Sequence, residues 1–378
     1  MNETHFMRLA LRLARRGCGA TSPNPMVGTV LVKRGKIIGQ GWHRRAGGPH
    51  AEIEAFRDAQ ARGNDPKGST LYVTLEPCST HGRTPPCTDA IKAAEIKRVV
   101  VAATDPNPTH SGRGFRLLKR AGIKVVHGIL ADEAATLNEA FNHWIIHRTP
   151  FVTVKAAMTL DGKIATAAGE SKWITGPKAR AHGMRLRHQA DAILTGINTV
   201  LADDPGLTPR KIPGSSFKVQ NPRRRIILDS LARTPLTAKI LNDEFAHLTT
   251  IVVGQHAPKN RVAALVKRVN VLVAPSDKSK TKNQESRIDL RWLLKKLGSQ
   301  GVTSLLVEGG GEVNASFLLG GLAHRVAFFY APKILGGRDA RKGVAGDGIS
   351  RPSQSVRLRG VEWRWLGPDL LLTGRVAE

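Results

Sequence analysis

Cysteine is scarce in this chain: three residues, Cys18, Cys78 and Cys87, in a length of 378. So small and odd a count excludes a disulfide framework and fits a reducing, cytoplasmic compartment. No apolar run approaches the roughly 18 residues that a membrane span needs, so no membrane partner is expected. Aromatics make up only 5% of the residues, few for the base-stacking platforms of single-strand nucleic-acid binders. Acids are also in short supply, 30 against 58 lysines and arginines, for a net charge of +28. Such a field attracts polyanions and phosphorylated small molecules alike. Because the basic residues are spread along the whole chain, a cationic, soluble surface accounts for them better than a nucleic-acid face does. A Rossmann fingerprint is missing as well, since no Gly-x-Gly-x-x-Gly follows an early strand with an acid about 20 residues on.

What is present divides in two. The length suits two hydrophobic cores better than one. The N-terminal stretch "MNETHFMRLALRLARRG" is basic and amphipathic, but Glu3 and its lack of serines set it apart from a transit peptide, so it reads as the first helix of the fold. From residue 27, "VGTVLVKRGKIIGQG" reads as a hairpin, followed by a helix over 51–62 and a strand over 71–75. Helix, strand, helix and strand alternate from Thr88 to about residue 129, and "DEAATLNEAFNHWIIH" reads as one closing helix. Pro150 breaks that helix, placing the boundary between domains 1–147 and 148–378. The second half repeats the habit, with strands expected at "DAILTG", "RRRIILDS", "LTTIVVGQ", "VNVLVA", "TSLLVEGG" and "RVAFFYAPKIL" and helices at 177–189 and 312–321. Such alternation implies an α/β protein with largely parallel or mixed sheets. The polar segment 276–288 lacks apolar periodicity and reads as a mobile surface loop without catalytic residues.

Two of the three cysteines share one Pro/Gly-rich loop, "LEPCSTHGRTPPC", downstream of "PHAE". His50, Cys78 and Cys87 supply the three protein ligands of a catalytic zinc, which leaves one coordination position for water. Thiolates steer such a site towards zinc, and Cys87 stands just ahead of a helix whose start favours the thiolate. Glu52 is the candidate proton shuttle. Residues two apart on a straight helix point about 200° away from each other, so His50 and Glu52 must meet through an irregular first turn after Pro49. Taken singly, "HAE" reads equally as an exposed helix start and the cysteines as small core residues. His-x-Glu followed by Pro-Cys and a further cysteine is the pattern of zinc deaminases acting on nucleobases. Their usual spacing is Cys-x-x-Cys, whereas here eight residues intervene and include "GRTPP".

With that spacing, and with "TSPNPMVG", "GWH", "HAE", "TLEPC", "GRTPPC" and "DPNP" all in place, the first half closely resembles the deaminase half of the bifunctional riboflavin-biosynthesis deaminase–reductase family. The resemblance implies a cytidine-deaminase-like three-layer domain. It further implies one Zn2+ per chain and deamination of a diaminopyrimidinone ribosylamine phosphate. Asn24 and His43 would help seat base and sugar, and Arg83, Thr84, Asp105 and Asn107 would contact the ribose phosphate. Residue chemistry agrees for Arg83, a phosphate donor, while Asn24, Asp105 and Asn107 equally suit the shaping of Pro-rich turns. The family commonly has histidine two residues after the first cysteine; here Thr80 stands there with His81 next, so the resemblance carries no substrate contact to that position.

The second half carries "KAAMTLDGKIA", "SKWITG", "DAILTGINTVLADDPGLTPR" and "LLVEGGG", which resemble the family's reductase half, similar in fold to dihydrofolate reductase. That resemblance implies NADPH contacts at Ala157, Trp173, Thr199, Asp203, Ser230 and the run Gly310, Gly311, Glu312, Val313, Asn314, Ala315 and Ser316. Substrate contacts would fall on Ser171, Arg187, Leu207, Arg210 and Glu308. A glycine triplet leading into a helix offers bare N–H groups to phosphates, but is equally a turn. Arg187 and Arg210 have the planar fork that grips a sugar phosphate. Ala323-His324-Arg325 replaces an acidic pair common in the family and reads as altered interface or surface charge. The family also implies a homo-oligomer, at least a dimer. Two other readings compete. One is a transfer-RNA base deaminase with a non-catalytic C-terminal half, which the charge favours. The other is a zinc-stabilised binding module, which needs a fourth ligand from His81 or Cys18.

Overall fold

The computed structural model describes residues 2–81, 85–208, 223–277 and 288–377. The chain divides into two compact units, Met1–Arg148 and Thr149–Glu378.

Unit one contains α1 (Glu3–Ala14), β1 (Gly28–Lys33), β2 (Lys36–Trp42), α2 (Ala51–Ala61), β3 (Thr70–Leu75), α3 (Cys87–Ala93), β4 (Arg98–Ala103), α4 (Arg113–Arg120), β5 (Lys124–His127), α5 (Ala131–Leu137) and α6 (Glu139–His147). The Asn2 side chain caps α1 by accepting from His5 N–H at 3.0 Å, and Phe6, Met7, Ala10 and Leu11 bury its apolar stripe. The N-terminal stretch is therefore a packed helix of the fold. β1 and β2 form the expected hairpin, Lys33 opposite Lys36. Arg34 and Gly35 at its tip have φ of 50° and 76°, the pair of positive angles that a type I′ turn requires. Strand order is β2-β1-β3-β4-β5, antiparallel at the hairpin side and parallel from β3 to β5. Val99 and Val101 face one core with Leu31, Leu71, Val73 and Leu118, while Val100 faces the other with Val30, Tyr72, Met7 and Leu11. Period-two alternation with both faces covered makes the sheet the middle of three layers.

One expectation is corrected. The closing helix is two helices, interrupted at Asn138, whose side chain accepts from Met26 N–H at 2.8 Å and donates to Met26 O at 2.9 Å. An asparagine that bonds a distant backbone gives up its place in a helix interior, and here it fastens the loop that carries Asn24.

Unit two contains β6 (Phe151–Thr159), β7 (Lys163–Ala165), α7 (Pro177–Gln189), β8 (Ala192–Gly196), α8 (Ile197–Asp203), β9 (Arg224–Leu228), α9 (Lys239–Asn242), β10 (Thr249–Gly254), α10 (Lys259–Val266) and β11 (Asn270–Ala274). It continues with α11 (Leu290–Ser299), β12 (Ser304–Val307), α12 (Gly311–Leu318), β13 (Arg325–Ala331), β14 (Arg341–Lys342), β15 (Leu358–Leu366) and β16 (Asp369–Val376). Its main sheet runs β11-β10-β9-β8-β12-β6-β13-β16-β15, parallel from β11 to β13 and antiparallel thereafter. The terminal hairpin escapes the sequence reading because β15, "LRGVEWRWL", is exposed along nearly its whole length and shows no buried face. Most of the polar segment 276–288, at 278–287, lies outside the described residues.

His324 and Arg325, expected to alter interface or surface charge, are half-buried and also take part in packing. His324 Nδ1 accepts from Val152 N–H at 2.9 Å, its ring stacks on Phe151 at 5.0 Å, and the Arg325 guanidinium lies 5.6 Å from the same ring. These two residues join the starts of β6 and β13.

Candidate functional site

In unit one, His50 is the N-cap of α2 with φ −72° and ψ 163°, extended and not helical. That kink resolves the 200° problem, because it turns the imidazole to the side on which Glu52, in the first helical turn, is buried. Cys87 opens α3 behind Pro86, and Cys78 lies just past the end of β3. His50 Nδ1 stands 3.1 Å from Cys87 Sγ and 3.5 Å from Cys78 Sγ, and the three donor atoms lie within 4.8 Å of one another. Cys87 N–H donates to Cys78 Sγ at 3.2 Å. Bonds from Cys87 and from His50 draw the Cys78 thiol down to about 4, against the cost of its burial, while the same sulfur neighbour and burial push Cys87 up. Two sulfurs and an imidazole at these separations fit a zinc ion. Among the described residues no fourth His, Cys, Asp or Glu joins them, and neither His81 nor Cys18 does. Burial, and then the Cys78 charge, raise the Glu52 carboxyl to about 7, the range in which a carboxyl both takes and gives protons at neutral pH.

His43 and Asn24 meet at this centre: Nδ1 of His43 contacts Pro49 O at 2.9 Å and Nε2 contacts Asn24 Nδ2 at 3.2 Å. A carbonyl only accepts, so Nδ1 carries the proton and Nε2 accepts from the asparagine. Both ring nitrogens are thus used within the protein, and His43 orients Asn24 and the segment leading into His50. Asp105 and Asn107 share one turn, Asn107 N–H donating to Asp105 Oδ1 at 2.9 Å. Arg83 and Thr84 lie outside the described residues. A residue overlooked as a separate element of the sequence is Glu76, the acid of "TLEPC". Its buried carboxylate accepts from Asp105, Gly112 and Gly114 N–H at 3.2, 2.9 and 2.9 Å.

Unit two assembles its candidate site at the C-terminal ends of the parallel strands. After β12 the chain passes Gly309 and enters α12 at Gly310, its N-cap. A Cβ at Gly309 would stand 2.5 Å from Val313 Cβ, whereas one at Gly310 would meet nothing nearer than Thr199 Oγ1 at 3.9 Å. Gly310 and Thr199 therefore border the same open space, beside a helix start whose N–H groups suit the phosphates of a dinucleotide. Asn314 and Ala315 turn into the core, Asn314 donating to Gly343 O at 2.8 Å, and Ser316 Oγ bonds Glu312 O. Asp203 approaches Ser171 at 3.5 Å and Lys172 at 4.0 Å. Trp173 is 64% exposed, with the Arg180 guanidinium 4.6 Å from its ring and Lys333 Nζ donating to its carbonyl at 2.9 Å. Ala157 packs beside Phe329, and Ser230 O accepts from Gly254 N–H at the end of β10.

Arg187 and Glu308 form a bidentate pair at 3.0 and 2.6 Å, so the fork expected to hold a phosphate is held by a carboxylate. Burial would raise Glu308, but Arg187 and Lys155 hold it down at about 2. Lys155, in "KAAMTLDGKIA", and Arg180 are site residues that went unassigned in the sequence. Leu207 is 3% exposed within the core and has a φ of 49°, so only its backbone can face a ligand. Arg210 lies outside the described residues.

Residues 1–103 match the cytidine and deoxycytidylate deaminase zinc-binding region, and residues 150–372 match the RibD C-terminal domain. The chain is 45% identical to the riboflavin biosynthesis protein RibD of Aquifex aeolicus, covering 98% of this chain and 97% of that one. With the Escherichia coli protein of that name it shares 40%, covering 98% and 99%. The chain belongs to the RibD family. Among solved structures, Acinetobacter baumannii RibD superposes with a TM-score of 0.85 at 37% identity over 99% of both chains. A Thermotoga maritima relative gives 0.82 at 37%, over 99% of this chain and 98% of that one. As a RibD protein the chain is a bifunctional deaminase and reductase of riboflavin biosynthesis, with a cytidine-deaminase-like first domain and a dihydrofolate-reductase-like second. The first matched region is a zinc-binding one, in keeping with the His50, Cys78 and Cys87 cluster, and the second domain is related to NADPH-using reductases. A transfer-RNA deaminase with an inert second half is set aside, because the match to RibD runs through that half as well. No helix among the described residues is long and apolar enough to cross a membrane.

Proposed function

We propose that residues 1–147 deaminate a diaminopyrimidinone ribosylamine phosphate and that residues 148–378 reduce the ribosyl chain of the resulting aminouracil to ribityl, in the cytoplasm. The Thermotoga maritima relative is a diaminohydroxyphosphoribosylaminopyrimidine deaminase/5-amino-6-(5-phosphoribosylamino)uracil reductase. The observation that carries the reading is the convergence of His50, Cys78 and Cys87 on one point beside a buried, titratable Glu52.

His50, Cys78 and Cys87 would hold the zinc ion, whose Lewis acidity makes a water nucleophilic near neutrality. In deamination the oxygen of a water would replace the amino group, and ammonia would leave. Glu52 accepts the proton that the water gives up, passes it to the ring and supports protonation of the departing amine. Asn24, fixed by His43, seats the base, and Arg83, Thr84, Asp105 and Asn107 take the ribose phosphate.

In the second domain a bound NADPH would supply a hydride to C1′ of the ring-opened ribosylamine, the carbon of its C=N bond, leaving the ribityl amine. The chain's part is to hold the two reactants together. Ala157, Trp173, Thr199, Asp203, Ser230 and Gly310–Ser316 take the cofactor. Ser171, Arg187, Leu207, Arg210 and Glu308 take the substrate, Arg187 with what remains of its fork once Glu308 is bound. The exposed indoles of Trp363 and Trp365 on the edge strand β15 support assembly into a homo-oligomer.

The test is NADPH consumption by the purified protein given the diaminopyrimidinone. Consumption should vanish in Glu52→Ala and return when the aminouracil is supplied. Absence of consumption with either compound would overturn the substrate assignment.

A further inference from the structure

Arg225, in β9, is the largest fully buried side chain among the described residues. A guanidinium has five N–H donors, and here all five are used. Nε donates to Thr249 Oγ1 at 2.9 Å. Nη1 donates to Asp243 Oδ2 at 2.5 Å and to Gly206 O at 2.9 Å. Nη2 donates to Asp243 Oδ1 at 2.7 Å and to Ile240 O at 3.0 Å. Thr249, Ile240 and Asp243 belong to the start of β10 and to α9 and its end, which are framework. Gly206 belongs to the segment leaving α8, which carries Asp203 at one end and Leu207 at the other. Apolar side chains of similar volume often stabilise a core as well as a buried ion pair does, so stability alone does not account for a charged fork at this place. What an apolar side chain cannot do is hold a carbonyl in one orientation.

The segment needs such a hold. Asp204 and Leu207 have φ of 40° and 49°, in the left-handed region that residues with side chains enter at a cost and keep only under outside support. Asp204 has support from its own side chain, whose Oδ1 accepts from Lys239 N–H at 2.9 Å. Leu207 has it from its side chain, in one core with Ile227, Ile240 and Leu241, and from Arg225 through the peptide ahead of it. That peptide is planar, so a Gly206 carbonyl drawn towards Arg225 turns the Leu207 N–H the opposite way.

We propose that Arg225 is a positioning residue of the reductase. Through Gly206 O it sets the backbone of segment 203–207, on which the aminouracil is held, and it touches neither substrate nor cofactor itself. The inference rests on the proposed reductase reading, in which Leu207 takes the substrate and Asp203 the cofactor.

The experiment compares Asp243→Asn, Arg225→Lys, and Arg225→Met combined with Asp243→Asn, each read as aminouracil-dependent NADPH oxidation and as unfolding in urea. Asp243→Asn leaves the bond to Gly206 O in place and should keep the unmodified KM for the aminouracil. Arg225→Lys keeps a cation beside Asp243 but loses the fork. It should raise that KM about three- to tenfold, the loss expected for one hydrogen bond, with kcat little changed. The paired variant removes both charges, so it should unfold close to the unmodified protein, while its KM stays as high as in Arg225→Lys. A merely structural arginine would not separate affinity from stability in this way. Ammonia release should be equal in all variants, because the deaminase has its own cores. An unmodified KM in Arg225→Lys, a KM that recovers together with stability in the paired variant, or a paired variant that stays destabilised would each overturn the proposal. Absence of NADPH oxidation by the unmodified protein given the aminouracil would instead overturn the substrate reading, and the inference with it.

Discussion

The two candidate centres are built from different materials. In the first unit, chemistry is carried by side chains within a short span, His50, Glu52, Cys78 and Cys87, aimed at one point by two helix starts. In the second, the open space is bordered by backbone at Gly310 and by a hydroxyl, and its charged side chains, Arg187 and Glu308, neutralise each other across 121 positions of sequence. A site made of reactive side chains fails when one atom is changed. A site made of backbone and a buried ion pair fails when its support is changed.

Metal removal should give the largest effect and the cleanest separation. Stripping zinc with a chelator should abolish ammonia release while aminouracil-dependent NADPH oxidation continues, because each unit has its own core. Loss of both activities would show that the reductase leans on the metal centre. Next comes Glu52→Gln, which keeps size and removes the titrating proton. Deamination should fall by about a hundred to ten thousandfold, as for loss of a general acid–base group, with reduction unaffected.

A third prediction turns to the support of the second site. Arg187→Met leaves the Glu308 carboxylate buried without its partner, and cutting one member of such a pair costs about 3–5 kcal/mol. Unfolding in urea should show that loss, and Arg187→Met with Glu308→Leu should recover much of it. The same pair sets an acid limit. Glu308 titrates at about 2 in the folded chain, below the ordinary value near 4.3. A depressed carboxylate stabilises fully above its unfolded value, and the contribution drains away as pH falls through about 4 towards 2. The Glu308→Leu, Arg187→Met protein should show a flatter loss of stability over that window. An identical slope would remove Glu308 from the account.

This contrast also explains what the sequence could disclose. His50, Glu52, Cys78 and Cys87 were legible because their chemistry is rare and their spacing unusual. The clamp by Glu76 was not, since three backbone N–H groups leave no mark in a sequence. The hairpin β1–β2 announced itself through β-branched runs around Arg34-Gly35, whereas β15 lies exposed and imitates a loop in composition. Asn138 broke a helix for the sake of Met26, 112 positions away, a tertiary demand overriding local periodicity. His43 and Asn24 were expected to help seat base and sugar, yet only the bonded geometry shows that they touch and that both nitrogens of His43 are already spent.

The smallest expected effect tests whether the second centre has any side-chain machinery of its own. Trp173 stands largely exposed, and an exposed indole holds one orientation only if something beneath it does the holding. Arg180 is placed to do so, its guanidinium 4.6 Å from the ring centre and one nitrogen donating to Thr175 O at 2.6 Å. A cation–π contact at an exposed site contributes about 0.5–1 kcal/mol, so Arg180→Met should weaken NADPH by about two- to fivefold. The rate at saturating cofactor should hold, because the reacting atoms keep their places. Titration of the cofactor against indole fluorescence measures the affinity, and steady-state NADPH oxidation measures the rate. A fall in rate at unchanged affinity would mean that Arg180 acts on the substrate side, and the second centre would then depend on individual side chains in the same way as the first.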